Sequence, residues 1–263
     1  MISSVHTILL EDRMIYGNFQ NNFFAMTSCD PLYLEDHGPA FVASVAKAGN
    51  NCHINVVLPP QSAMIDITDY TKAFRSLRKH NTQSISFSFS GFDTTGKTNE
   101  EIRTYYACSR FIVGSELLRL GSGSMFITDV DCIFMDNVIE PDANLGIFLR
   151  ESLPGTVGWE AEGTKVAAGA VYYNRNIGMF ADSVSSIIQS SPLAWFLDQV
   201  ALSRCYADYK DSMKVHLYDS KFIDWEFIEG TTIWTGKGPR KYNNPVYVAK
   251  KNEYTKLFRE VLQ

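Results

Sequence analysis

Asp129 and Asp131, separated only by Val130, stand between two apolar runs, Met125-Phe126-Ile127 and Ile133-Phe134-Met135. A short continuous apolar run suits a strand buried on both faces. Carboxylates are seldom fully buried without a partner, so the pair is expected where that strand reaches an edge or a cleft. Alternate residues of an extended chain point the same way, so an extended segment would project both carboxylates together. Two anions that converge repel each other unless a cation or a proton intervenes. A divalent ion is the simplest resolution, and Mn2+ or Mg2+ suits oxygen ligands. Two aspartates beside a strand also serve as an ordinary turn or a solvated strand end, and both readings stand at this point. Cys132, next in the chain, reads as a small apolar filler.

The surroundings must position that pair. The 263 residues are 45% hydrophobic and 20% charged, with a net charge of -5, the profile of a globular chain with ample material for a core. No basic run is long enough to suggest nucleic acid, and the pair Arg240-Lys241 is too small to argue otherwise. No stretch approaches the roughly 20 apolar residues of a membrane span, and the first residues lack the pattern of a signal peptide. Five cysteines without any C-x-x-C fit reduced thiols. A cytoplasmic location is therefore expected.

Along the chain, 23–28 reads as a buried first strand that closes in a turn at Cys29-Asp30-Pro31. Residues 38–47 have helical spacing, 53–58 read as a strand, 68–79 as a helix and 84–89 as a strand. That β-α-β-α-β order implies a parallel sheet with helices on its faces. A longer helix is predicted over 99–120, with Thr98 and Glu101 as a capping box. Beyond the aspartates, strands are expected at 144–150 and 166–174 and helices at 179–189 and 192–205, the second with Pro192 in its first turn. Residues 155–164 read as a loop over a cleft. Short strands follow at 215–217 and 222–223, then a long loop at 228–244 and a terminal helix at 253–262.

The succession from Tyr105 to Asp131 resembles the GT-A nucleotide-sugar glycosyltransferases, in particular the glycosyltransferase family 8-like group. The residues that carry the likeness are Tyr105 or Tyr106, Arg110 and Asp129-Val130-Asp131. Downstream, Ala168-Gly169-Ala170-Val171-Tyr172-Tyr173-Asn174 is similar to the family's acceptor-side strand. Trp195-Phe196-Leu197-Asp198-Gln199 is similar to its Asp-Gln helix, and Ile233-Trp234-Thr235-Gly236-Lys237-Gly238 to its late loop over the diphosphate. Where the family places a third metal ligand, a histidine, this chain has Ile233 or Trp234.

The resemblance implies an α/β GT-A (Rossmann-like) fold: one compact domain with a mixed, mostly parallel central sheet flanked by helices. The catalytic domain would span 20–245, after an amino-terminal extension over 1–19 and before a carboxy-terminal strand or helix over 246–263. It also implies a hexosyltransferase using a nucleoside-diphosphate sugar, UDP-sugar favoured, toward an unidentified glycan, lipid or protein acceptor. Asp129 and Asp131 would hold Mn2+ or Mg2+. Ser28, Cys29, Asp30, Tyr106, Arg110, Val130, Gly169, Lys237 and Trp234 would meet the donor, Trp234 as a stacking platform ahead of Trp159, Trp195 and Trp225. Asp198 and Gln199 would act at the reacting sugar, with Glu160 a second candidate base.

Other classes remain open. An apolar strand entering D-x-D also opens the haloacid dehalogenase phosphatase motif, in which the first aspartate attacks phosphate. A sugar nucleotidylyltransferase shares the sheet but should carry an early Gly-rich loop, which 23–31 lacks. A GT-A-like chain that binds a sugar nucleotide or a partner without turnover is the non-enzymatic alternative.

Overall fold

A computed structural model describes residues 7–10, 13–17, 22–60, 62, 65–150, 165–236 and 238–263. A nine-stranded sheet runs through the molecule. In chain order its strands are β1 (Thr7–Leu10), β2 (Arg13–Gly17), β3 (Phe24–Cys29), β4 (Asn51–Leu58), β5 (Ile85–Gly91), β6 (Met125–Ile127), β8 (Leu145–Leu149), β9 (Val166–Tyr173) and β10 (Val215–Tyr218). Their spatial order is β1-β2-β5-β4-β3-β6-β9-β8-β10. Only β2 and β9 run against the others, so the sheet is mixed and mostly parallel, compatible with a Rossmann-like α/β fold. A second sheet of three short strands joins β7 (Cys132–Phe134), β11 (Ile223–Asp224) and β12 (Ile233–Thr235) in the order β11-β12-β7.

Helices cover both faces, so the central strands are buried on both sides, with one face of β4 and β5 carrying the buried polar set His53, Asn55, Ser86, Ser88 and Ser90. On one face α1 (Pro31–Ala48), α2 (Thr68–Leu77) and α7 (Pro245–Glu260) pack together. Phe41, Phe74, Phe126, Phe134 and Phe258 meet there in one buried cluster. On the other face α3 (Asn99–Arg119), α4 (Gly178–Ser190) and α5 (Leu197–Tyr209) bury Phe111, Phe180, Tyr173 and Leu202. Each fully buried aliphatic or aromatic side chain of this kind contributes about 1.5–3 kcal/mol relative to exposure. The predicted capping box forms: Thr98 Oγ1 accepts from Glu101 N at 3.2 Å and Glu101 Oε2 accepts from Thr98 N at 2.7 Å.

The strand order puts one crevice where a ligand belongs. The chain builds β3, β4 and β5 outward in one direction, then α3 carries it back to place β6 on the other side of β3. Such a reversal leaves a gap beyond the carboxyl ends of the two strands that flank it, the usual ligand position in open α/β sheets. Ser28-Cys29-Asp30 and Asp129-Val130-Asp131 both lie at that gap.

Several boundaries differ from expectation. Asp30 does not close a turn; it caps α1, its Oδ1 accepting from Leu32 N at 2.9 Å and Tyr33 N at 3.0 Å, so the helix starts at Pro31 instead of 38. Pro192 begins no helix, because α5 starts at Leu197 after Phe196 in a left-handed conformation (φ 71°). The expected loop at 228–244 contains β12 and the one-turn helix α6 (Arg240–Asn243). The terminal helix begins at Pro245, capped by Asn244. Within the amino-terminal segment read as an extension, β2 pairs with β5 and widens the main sheet.

Candidate functional site

The aspartate pair is not carried on extended chain. Cys132 N donates to Asp129 O at 3.1 Å, which folds 129–132 into a tight turn between β6 and β7. Val130 packs its side chain into the core at 2% exposure and still borders the crevice, which the flanking carboxylates reach. The antiparallel register of β6 on β9 pairs Met125 with Tyr173 and Ile127 with Val171; continued two residues, it brings Asp129 abreast of Gly169. A Cβ at Gly169 would stand 2.8 Å from Asp129 Oδ2, so glycine here makes room for that carboxylate. Thr128 Oγ1 donates to Gly169 O at 2.9 Å and holds the two segments together.

Each aspartate faces its own side-chain cation. Arg110, 3% exposed in the middle of α3, donates from Nη1 to Asp129 Oδ1 at 2.5 Å and from Nη2 to Asp198 Oδ2 at 2.9 Å. Asp198 belongs to the first turn of α5, and its Oδ1 also accepts from Gln199 N at 2.8 Å. Lys241 on α6 donates from Nζ to Asp131 Oδ2 at 2.8 Å, and Tyr33 on α1 donates its hydroxyl to the same oxygen at 2.6 Å. Lys241 Nζ also donates to the Tyr33 hydroxyl oxygen. Burial, then Asp131, pushes the Tyr33 phenol far up, so it stays a donor. Burial opposes the charge of Lys241, but Asp131 and Asp129 outweigh it and its pKa rises. Burial also raises Asp129 above the usual carboxylate range, against the lowering pull of Arg110.

These groups line one cavity of about 770 Å³, within the range of small-molecule and cofactor sites. Ser28, Cys29, Asp30, Tyr106, Arg110, Asp129, Asp131, Gly169, Asp198 and Gln199 all border it. Several point their polar atoms elsewhere. The Ser28 hydroxyl pairs with Ser109 Oγ at 2.7 Å and accepts from Asn55 Nδ2 at 2.8 Å. The Cys29 thiol packs in the core, where burial raises its pKa. Of the two tyrosines, Tyr106 borders the cavity, while Tyr105 stacks on Phe92 at 3.6 Å. On the wall, Gln199 Oε1, Thr104 Oγ1 and Arg110 Nε, all buried, lack a hydrogen-bond partner among the described residues. An unmet buried polar group costs about 1–3 kcal/mol, which a hydroxyl-bearing ligand would offset.

Trp234 does not reach the cavity. It is 4% exposed, packs against Phe227, and donates its indole N–H to Ile228 O at 2.9 Å. Strand β12 turns it inward, so the expectation of a stacking platform there fails; Trp195, 52% exposed, and Trp225 border the cavity instead. Lys237, Trp159 and Glu160 lie outside the described residues.

The sequence reading missed Lys241 and Tyr33. Lys241 stands 110 residues from Asp131 and Tyr33 stands 98, and neither belongs to a motif. The one usable signal was Gly236 ahead of the basic pair 240–241. A Mn2+ or Mg2+ ion on Asp131 would have to share Oδ2 with an ammonium and a phenol. The residues as arranged do not suit a divalent cation at that oxygen. All five cysteines are buried and unbridged. No helix among the described residues is long and apolar enough to cross a membrane.

Compared with protein-family models, the chain matches none. It matches no curated protein either.

Proposed function

We propose that this chain is a glycosyltransferase that moves a hexose from a nucleoside-diphosphate sugar to a hydroxyl acceptor. The observation that carries the reading is the convergence of the D-x-D turn, Arg110 and the Asp198-Gln199 helix start on one cavity at the reversal of strand order. Those segments are far apart in the chain and match the family resemblance in order. In transfer, the bond between the anomeric carbon and the diphosphate oxygen breaks, and its electron pair goes to the diphosphate. The acceptor oxygen bonds to that carbon, and its proton is released to water. The departing charge needs nearby positive groups and dipoles, and Arg103, Arg150 and Lys241 border the cavity. Gln199 Oε1 and Thr104 Oγ1 are suited to sugar hydroxyls.

The phosphatase reading needs an aspartate oxygen free to attack. Asp129 has Oδ1 held by Arg110 and Oδ2 beside Gly169, with its side chain 37% exposed, so activity on simple phosphate esters is what separates this reading from transfer. Binding without turnover shares every feature above and is separated by activity alone. The test is thermal unfolding with UDP, GDP and CDP sugars. The reading predicts that one base series raises the melting temperature as ligand exceeds Kd; no stabilisation by any of them would remove it.

A further inference from the structure

The way Lys241 is held goes beyond a surface ion pair. Its side chain is 15% exposed, and its ammonium sits 4.8 Å from the ring centroid of Tyr33 and 5.8 Å from that of Tyr242. The backbone beneath it is fixed to the D-x-D turn. Gly236 N donates to Asp131 O at 3.1 Å, and Tyr247 Oη donates to the same carbonyl at 2.6 Å. A Cβ on Gly236 would stand 2.8 Å from Tyr247 Oη and 2.9 Å from Lys241 Cβ. Glycine there lets the three segments close up. The chain therefore builds a site for an ammonium at Asp131 from β12, α6, α7 and α1 together.

That ammonium and a divalent ion compete for one oxygen. A metal ligated by Asp131 Oδ2 sits about 2.0–2.2 Å from it, and so within about 5 Å of an Nζ that is itself 2.8 Å from Oδ2. The two cations would repel across a poorly solvated gap. Asp129, the other expected ligand, already has Oδ1 bonded to Arg110, which it shares with Asp198. An ammonium has three N–H donors; Asp131 and Tyr33 take two, and the third is left for an oxygen of a bound anion.

We infer that Lys241 supplies, in place of a divalent cation, the fixed positive charge that binds the donor's diphosphate, so that nucleotide binding needs no metal. This rests on the nucleotide-sugar reading above. Nearby cations strengthen it, since Arg103 and Arg150 border the same cavity. The competing arrangement, in which Lys241 swings away and a metal enters, makes the opposite prediction for wild-type affinity in EDTA and for wild-type Mn2+ uptake.

The experiment titrates UDP, GDP and CDP calorimetrically into the wild-type chain, Lys241→Met and Lys241→Arg, each in EDTA and in Mn2+. In parallel, uptake of free Mn2+ is followed by its electron paramagnetic resonance signal without nucleotide. Expected results are wild-type affinity equal in EDTA and Mn2+ within about two-fold, and a loss of roughly ten-fold or more in Lys241→Met in EDTA. Lys241→Arg should keep most of the EDTA affinity, and Mn2+ uptake should appear only in Lys241→Met, where Asp131 is vacated. Wild-type affinity that collapses in EDTA, or wild-type Mn2+ uptake abolished by Asp131→Asn, would overturn the inference while leaving the nucleotide reading intact. If no nucleotide binds any variant in either condition, the nucleotide reading fails and takes the diphosphate role with it. Should Lys241→Met not fold, the wild-type comparison in EDTA and Mn2+ decides alone.

Discussion

Arg110 is the side chain on which the site's electrostatics turn. It is buried, bridges Asp129 and Asp198, and sits on the face of α3 that packs toward β6 and α5. A buried pair adds little over a well-packed apolar replacement, but removal of one partner leaves unpaired charge behind. Arg110→Ala is therefore expected to lose roughly 3–5 kcal/mol of stability in urea unfolding at pH 7. Pairing the change with Asp198→Asn should recover part of that loss, because one stranded carboxylate is gone. Equal stability of Arg110→Ala and wild type would show that the bridge is solvated and contributes nothing. The sequence showed this arginine and both aspartates as candidates, since a tyrosine-arginine helix before an apolar strand is visible in the chain. It could not show that Arg110 spans both carboxylates, because Asp198 is 88 residues away.

At the level of elements, the first half was readable and the second half less so. Strands β3, β4 and β5 and helix α3 carry strong periodicity and caps, and local signals suffice for them. The segment from Ile228 to Asn244 is different. Gly230, Gly236, Gly238 and Pro239 read as loop, yet β12 forms there because β7 and β11 offer edges to pair with, at Phe134 and Ile223 for Ile233. Pairing of that kind depends on tertiary context and leaves no local trace. Gly236 at the end of β12 gives a direct test. Gly236→Ala places a methyl against Tyr247 Oη and Lys241 Cβ, and is expected to cost about 1–3 kcal/mol and to weaken UDP binding with it. Gly91→Ala, with open space around its Cβ, should stay within about 0.5 kcal/mol of wild type. Equal effects of the two substitutions in thermal unfolding would mean that the close approach at Gly236 is not needed.

Over the whole molecule, the net charge of -5 says nothing of the balance in the crevice, where Asp30, Asp129, Asp131 and Asp198 are matched by four cations. The positive groups are local. Arg103, Arg110, Arg150 and Lys241 are brought to one crevice by two helices, α3 and α6, and the end of β8, and the fold makes that crevice by reversing its strand order between β3 and β6. The sheet class followed from the β-α-β-α-β order. The edge strands β1 and β2, the antiparallel insertion of β9 and the reach of α6 across the crevice did not, because each depends on contacts between distant segments. The central claim is that this crevice holds a sugar nucleotide for transfer. Its most direct test is release of nucleoside diphosphate from UDP-, GDP- and CDP-hexoses, with water as acceptor, by wild type and by Asp131→Asn. Wild type should release product from one base series, and Asp131→Asn, which loosens its hold on Lys241, should be slower by roughly a hundred-fold. Release at the same rate by both, or by neither from any donor, would contradict it.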